Sequence, residues 1–185
     1  MRQRRRARLI LAVMIAVGAS AAAAEAQTPQ LEAAVKAAYL AKFGAYVAWP
    51  AGVLSGDAGP LNLCVVGRDP FGAVLDKSLF GQRIDRHPVI VRRLPAGAAG
   101  GSCHIAYFGG MPGAEVGPAL QRFDDAPVLT ITDANASPVR GIVHFAVVNG
   151  RVRFHIDEAS AARHSIAISS KLLSLALSVK QRGSP

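Results

Sequence analysis

The sequence predicts a single three-layer α/β domain, in which helices flank a mixed sheet that begins parallel and closes with an antiparallel hairpin. Apolar residues make up 51% of the 185-residue chain and charged residues 18%, a balance that suits one domain with a substantial core. Short β-branched runs alternate with helical patterns, as in parallel βαβ units. Near the carboxyl end, Asn149-Gly150 separates two strand-like runs, and Asn-Gly between strands is a strong hairpin signal.

The amino-terminal segment has the pattern of a secretory signal peptide. Five arginines in the first eight residues precede the apolar or small run 9–24, and Ala24-Glu25-Ala26 supplies a small-residue cleavage step. We therefore expect residues 1–26 to be removed on export from the cytoplasm and residues 27–185 to form the mature domain. The alternative is an uncleaved membrane anchor, but the apolar run is shorter than the roughly 20 residues of a spanning helix.

The positive charge of the chain is concentrated in that segment. The formal net charge is +9, and removal of five arginines and one glutamate leaves +5. The remaining basic residues are scattered without interleaved aromatic residues, so we predict no nucleic-acid partner.

The first predicted element is a helix over 31–47. Apolar and aromatic residues recur there at three- and four-residue spacing from Leu31 to Tyr46, with Lys36 off the stripe, and Trp49-Pro50 ends the pattern. Such a stripe is typically core, and a partner-binding face is the alternative.

The later elements follow from runs of apolar and β-branched residues between turn residues. We predict strands over 61–66, 88–93, 104–108 and 127–132, and helices over 71–79 and 115–123. The predicted hairpin strands cover 141–147 and 151–156, and helices over 157–163 and 169–180 follow them.

Cys64 and Cys103 are the two cysteines of the chain. An even count in an exported chain predicts one disulfide, with two buried free thiols as the alternative. The two residues lie on the first strand and before the third, which are often neighbours in doubly wound sheets.

No pattern of catalytic or metal-binding residues is present in the sequence. The five histidines lack metal-binding spacing, although His144 and His155 could face each other across the hairpin. The serine-hydrolase elbow and the Ser-x-x-Lys motif are missing, and the turn at 66–72 lacks a complete phosphate-binding fingerprint. We therefore predict no enzyme activity, no metal and no cofactor.

Six ordered segments resemble the YfiR-like family of periplasmic proteins. They are VKAAYLAKF at 35–43 with its following Trp49-Pro50, LCVVGRDPFG at 63–72, CHI at 103–105, VLTITD at 128–133, RVRFHI at 151–156 and ISSKLLSLA at 168–176. The resemblance implies an α/β domain that binds the periplasmic part of an inner-membrane diguanylate cyclase and holds it inactive. Release of such an inhibitor raises cyclic-di-GMP and favours biofilm formation.

The resemblance also implies a partner-contact region, which we place on the last predicted helix and its approach, residues 163–175, with residues near Tyr39 as a possible addition. The predicted contact residues are Arg163, Ile166, Ile168, Lys171, Leu172 and Leu175. Simple core packing is the alternative for the same positions. A symmetric homodimer is also compatible with the sequence.

Two other functions stay open at this point. One is a small-ligand-binding sensor that acts on a sensor kinase or another membrane receptor, with its ligand at the strand ends near residues 67–71. The other is a structural envelope protein without a regulated partner.

Overall fold

An eight-stranded mixed sheet with helices on both faces forms the centre of the fold, which confirms the predicted fold class. The structure is a computed structural model that describes residues 29–54, 56 and 58–183, so the predicted signal peptide lies outside the described residues. The elements are α1 (29–43), a 3-10 turn (Gly44–Tyr46), β1 (Val47–Ala48), β2 (Leu61–Gly67), α2 (Ala73–Leu79), β3 (Arg83–Ile84), β4 (His87–Leu94), β5 (Ile105–Gly110), α3 (Gly113–Gln121), β6 (Leu129–Asp133), β7 (Val143–Val148), β8 (Arg151–Asp157), α4 (Glu158–Arg163), β9 (Ala167–Ile168), α5 (Ser170–Leu173) and β10 (Ser178–Lys180).

The strand order is β10-β8-β7-β6-β5-β2-β4-β3. Strands β4, β2, β5, β6 and β7 run parallel, and β7 pairs with β8 in the predicted antiparallel hairpin. Asn149 and Gly150 have φ values of 51° and 69°, the left-handed conformation that a two-residue hairpin turn needs at both positions. β1 and β9 form a separate two-stranded sheet.

Each face of the large sheet has its own hydrophobic core. On one face, α1, α2 and α4 pack over a cluster that includes Leu40, Leu75 and Phe145. On the other face, α3 packs over Phe108 and Phe123. The central strands are apolar along almost their whole length because both of their faces are covered.

The predicted disulfide between Cys64 and Cys103 is confirmed. Cys64 lies on β2, Cys103 lies just before β5, and their Cα atoms are 5.9 Å apart. Both residues are buried in the cluster beneath α3. The bond therefore joins two neighbouring parallel strands at the centre of the sheet.

The predicted buried stripe of the first helix was partly right, because Phe43 is buried and Tyr39 packs against the core, but it was wrong at its amino-terminal end. Leu31 is 68% exposed, whereas Lys36, predicted to lie off the buried stripe, is 4% exposed. The helix turns its small residue Ala37 and the larger Leu40 and Phe43 towards the sheet, and Lys36 lies at the border of that face. The helix also ends at residue 43, earlier than predicted.

The predicted last helix over 169–180 was also wrong in its second half. α5 ends at Leu173, and Ser178–Lys180 form β10, which runs parallel to β8 at the edge of the sheet. The pairing of this segment with β8 begins at Leu177, whose N–H donates to the carbonyl of Phe154 at 2.7 Å. The backbone groups of β8 offered hydrogen bonds that a continued helix would have left unmade.

Within the described residues, none of the helices combines the length and the apolar character that crossing a membrane requires.

Candidate functional site

A cleft of about 640 Å³ opens at the carboxyl ends of β2, β5 and β6. The chain leaves β2 towards α2 on one face of the sheet and leaves β5 towards α3 on the other face. Neighbouring parallel strands whose connections part in this way open a crevice between them, and ligands of doubly wound folds bind there. The sequence predicted a crevice near residues 67–71, and Arg68, Pro70 and Phe71 of that segment form one wall of this cleft.

A cluster of charged side chains forms the inner end of the cleft. The Nζ atom of Lys36 on α1 contacts both the Glu32 Oε1 atom and the Asp133 Oδ2 atom. The hydroxyl group of Tyr107 donates to Asp133 Oδ2 at 2.9 Å, and the backbone N–H of Asn135 donates to Asp133 Oδ1 at 3.0 Å. The side-chain amide of Asn135 donates to Glu32 Oε1 at 2.7 Å.

The side chains of this cluster make their hydrogen bonds and ion pairs with one another. Asp133 and Lys36 are each 4% exposed, and their attraction in a poorly solvated place offsets the cost of burying both charges. Burial raises the pKa of the Tyr107 hydroxyl, and the Asp133 carboxylate raises it further, so Tyr107 stays protonated and remains a donor. The cluster therefore provides a polar wall of the cleft.

The loops after β2 and β5 meet at a close backbone contact. The N–H of Arg68 donates to the carbonyl of Gly110 at 3.3 Å. A Cβ atom at Gly110 would lie 1.5 Å from the carbonyl oxygen of Arg68, so only glycine allows the approach. This contact fixes the backbone of Arg68 beside the cleft, and Arg68, Phe71 and Met111 all line it.

The six predicted partner-contact residues fall into two groups. Arg163, Lys171 and Leu175 are exposed, with Leu175 at 57%. The other three side chains pack into the core, and they are Ile166, Ile168 and Leu172. For these three, core packing, which the sequence left as the alternative, describes what the structure shows.

The two hairpin histidines face each other, as the sequence suggested. His144 pairs with His155 across the ladder, and their ring centroids are 6.4 Å apart. The Thr132 hydroxyl lies 2.8 Å from His144 Nδ1 and accepts from the N–H of Gly141 at 2.9 Å. Burial lowers the pKa of His144 to about 4, so the ring is neutral near pH 7 and shares a hydrogen bond with the Thr132 hydroxyl. In the part of the chain that the structure describes, no group of three or more potential ligand side chains is arranged to hold a metal ion.

Sequence analysis alone missed the cluster at the inner end of the cleft. The one available signal was Asp133, because it directly follows a buried strand, where polar residues of parallel sheets often converge. Lys36 and Glu32, four residues apart on a helix, gave the pattern of an exposed ion pair. Only the packing of α1 against β6 shows that they meet Asp133.

A family model described as YfiR/HmsC-like matches residues 33–177, which span nearly all of the described domain. None of the curated proteins matches the chain.

Proposed function

We propose a regulatory function for this chain, because it belongs to the YfiR/HmsC-like family, whose model matches residues 33–177. The family membership is the observation that carries the proposal. The chain acts in the periplasm as a non-enzymatic protein, after residues 1–26 have been removed and residues 27–185 have folded as one domain.

The proposed partner is an inner-membrane signalling protein, and a diguanylate cyclase is our first candidate. The folded domain binds the periplasmic part of the cyclase and holds the enzyme inactive. Release of the domain then raises cyclic-di-GMP in the cytoplasm and favours biofilm formation. A symmetric homodimer of the chain also remains a prediction.

The proposed contact surface consists of Arg163, Lys171 and Leu175, the three exposed members of the predicted region. Leu175 offers an apolar side chain, and the two cations suit a partner surface that carries carboxylates. The buried Ile166, Ile168 and Leu172 support this surface from below as part of the core.

Co-purification from membranes tests the proposed contact. The exported chain, tagged at its carboxyl end, is crosslinked in cells and recovered with the candidate cyclase. We expect Lys171→Glu combined with Leu175→Asp to abolish recovery of the cyclase. The matched control is Lys77→Glu combined with Phe80→Asp, which makes the same charge changes at exposed positions in and just after α2. Equal loss with both pairs, or recovery that neither pair reduces, would contradict this surface.

A small-ligand sensor is the second candidate function, in which the domain reports ligand binding to a sensor kinase or another membrane receptor. The cleft of about 640 Å³ favours it, because the cleft lies where doubly wound folds bind ligands. The two candidates share the periplasmic location and differ in what the domain recognises.

A further inference from the structure

We propose that the cleft at the carboxyl ends of β2, β5 and β6 binds a small organic monocarboxylic acid, whose carboxylate is held by Arg68. This inference deepens the ligand-sensing candidate above and names the chemistry of its ligand. It concerns the cleft of this chain alone, so it does not depend on which membrane protein is the partner.

The cleft is present in the folded chain and has the size of a metabolite site. Its volume of about 640 Å³ falls within the range of roughly 300–1,000 Å³ that is usual for small-molecule pockets. The backbone contact between Arg68 and Gly110 and the buried cluster around Asp133 fix two of its walls. A ligand therefore meets a site that needs little reorganisation.

Of the two cationic side chains that line the cleft, Lys36 and Arg68, only Arg68 is available to bind a ligand anion. Lys36 is buried and already contacts Glu32 and Asp133, so its charge is used within the protein. Arg68 is exposed, and within the described residues its side chain has no carboxylate partner. A guanidinium group binds a carboxylate through two parallel N–H donors, and the amino-terminal end of α3 at Gly113 lies beside the same space.

The remaining walls select an organic ligand with a single negative charge. Phe71 and Met111 supply apolar surface, and the Phe71 ring is fixed against the Tyr107 ring at a centroid distance of 4.8 Å. Glu32 and Asp133 carry one more negative charge than Lys36 offsets, which disfavours a dianion such as phosphate. An apolar body with one carboxylate fits both features.

Titrations followed by NMR spectroscopy test the proposal on the purified mature domain. The probes are butyrate, hexanoate, benzoate and phenylacetate, each beside the uncharged alcohol of the same skeleton, with inorganic phosphate as a further control. We expect at least one carboxylate to bind about tenfold more tightly than its alcohol, which is the effect of one charge-assisted contact. Its amide shift changes should fall in 68–71, 109–113 and 133–136, and phosphate should not bind there.

Two arginine variants test the assigned contact. Arg68→Gln should weaken the carboxylate about tenfold. Arg92→Gln removes the same charge from an exposed position on β4 and should leave the affinity unchanged. Thermal unfolding of both variants verifies that they are folded.

The proposal is overturned if no carboxylate binds, if carboxylates bind no better than their alcohols, or if phosphate binds equally well. Equal affinity of the two arginine variants also overturns it. Because these measurements use the isolated domain, their failure would leave the proposed regulation of a cyclase standing. That function is tested separately in cells.

Discussion

Lys36 connects the amino-terminal helix to the end of β6 through a single buried ammonium group. Its partners come from two parts of the chain, since Glu32 is four residues away and Asp133 is 97 residues away. A lysine can lie at the edge of a core when its methylene groups pack there and its charge is paired. No local pattern in the sequence indicates the Asp133 contact, which explains why the burial of Lys36 was not predicted.

Removal of the Lys36 charge should destabilise the domain strongly. Lys36→Met leaves two carboxylates close together without their cation, and we expect the free energy of unfolding to fall by about 3 kcal/mol. Urea denaturation measures the change. Lys42→Met, at an exposed position of the same helix, should change the stability by less than about 0.5 kcal/mol. A Lys36→Met domain as stable as the Lys42→Met domain would show that the cluster is not coupled to folding.

His144 should make the domain less stable in mild acid. Its pKa is lowered from 6.5 to about 4 in the folded protein, chiefly by burial and also by the nearby Arg140. Below pH 6.5 the unfolded chain binds a proton that the folded chain excludes, so the free energy of unfolding falls until about pH 4, by up to about 3 kcal/mol. Above pH 6.5 the residue contributes no pH dependence.

Denaturation at pH 7.5 and pH 5 measures the His144 contribution. His144→Gln does not titrate and keeps a side chain able to hydrogen-bond the Thr132 hydroxyl, so the stability lost between the two pH values should be smaller than in the parent chain. Some loss remains, because burial also lowers the pKa of His104. The control His87→Gln lies at the other edge of the sheet and leaves the surroundings of His144 intact. This variant should keep the contribution of His144 to the pH dependence of stability. An unchanged pH dependence in His144→Gln would contradict the assignment.

At the scale of elements, the disulfide is the strongest single link in the sheet. It joins β2 to the start of β5 across 39 residues of sequence, in which α2, β3 and β4 are contained. Cys64→Ser and Cys103→Ser should each lower the free energy of unfolding by about 4 kcal/mol, because the unfolded chain then regains the freedom of a long loop.

Urea denaturation under oxidising and reducing conditions tests this contribution. The parent chain should lose stability on reduction, and the serine variants should show no further loss. A parent chain with the same denaturation midpoint in both conditions would mean that the bond adds nothing to stability.

The elements that could be predicted from the sequence are those whose signals are local. The hairpin follows from Asn149-Gly150, and α4 follows from Asp157, whose side chain accepts from the N–H of Ser160 at 2.7 Å as an N-cap. β10 could not be predicted in the same way. The leucines that precede it, from Leu172 to Leu177, have helical spacing, and Ser178–Lys180 become a strand because β8 presents an unpaired edge beside them.

At the scale of the whole molecule, the two proposed sites share no residue. The cleft is formed by α1 and the carboxyl ends of the parallel strands, whereas the proposed contact residues belong to α4, α5 and the turn after α5. The parallel order of the sheet was predictable from the alternation of strands and helices, and it also gave the position of the crevice. The charges that line the cleft were not predictable, since they depend on the packing of distant segments.

The central claim is that the exported domain restrains a membrane diguanylate cyclase, and the cellular cyclic-di-GMP concentration tests it most directly. The measurement compares the parent strain, a deletion strain and a deletion strain that expresses the full chain with its amino-terminal segment. We predict that cyclic-di-GMP rises on deletion and returns to the parent value on complementation. An unchanged concentration in the deletion strain would contradict the claim.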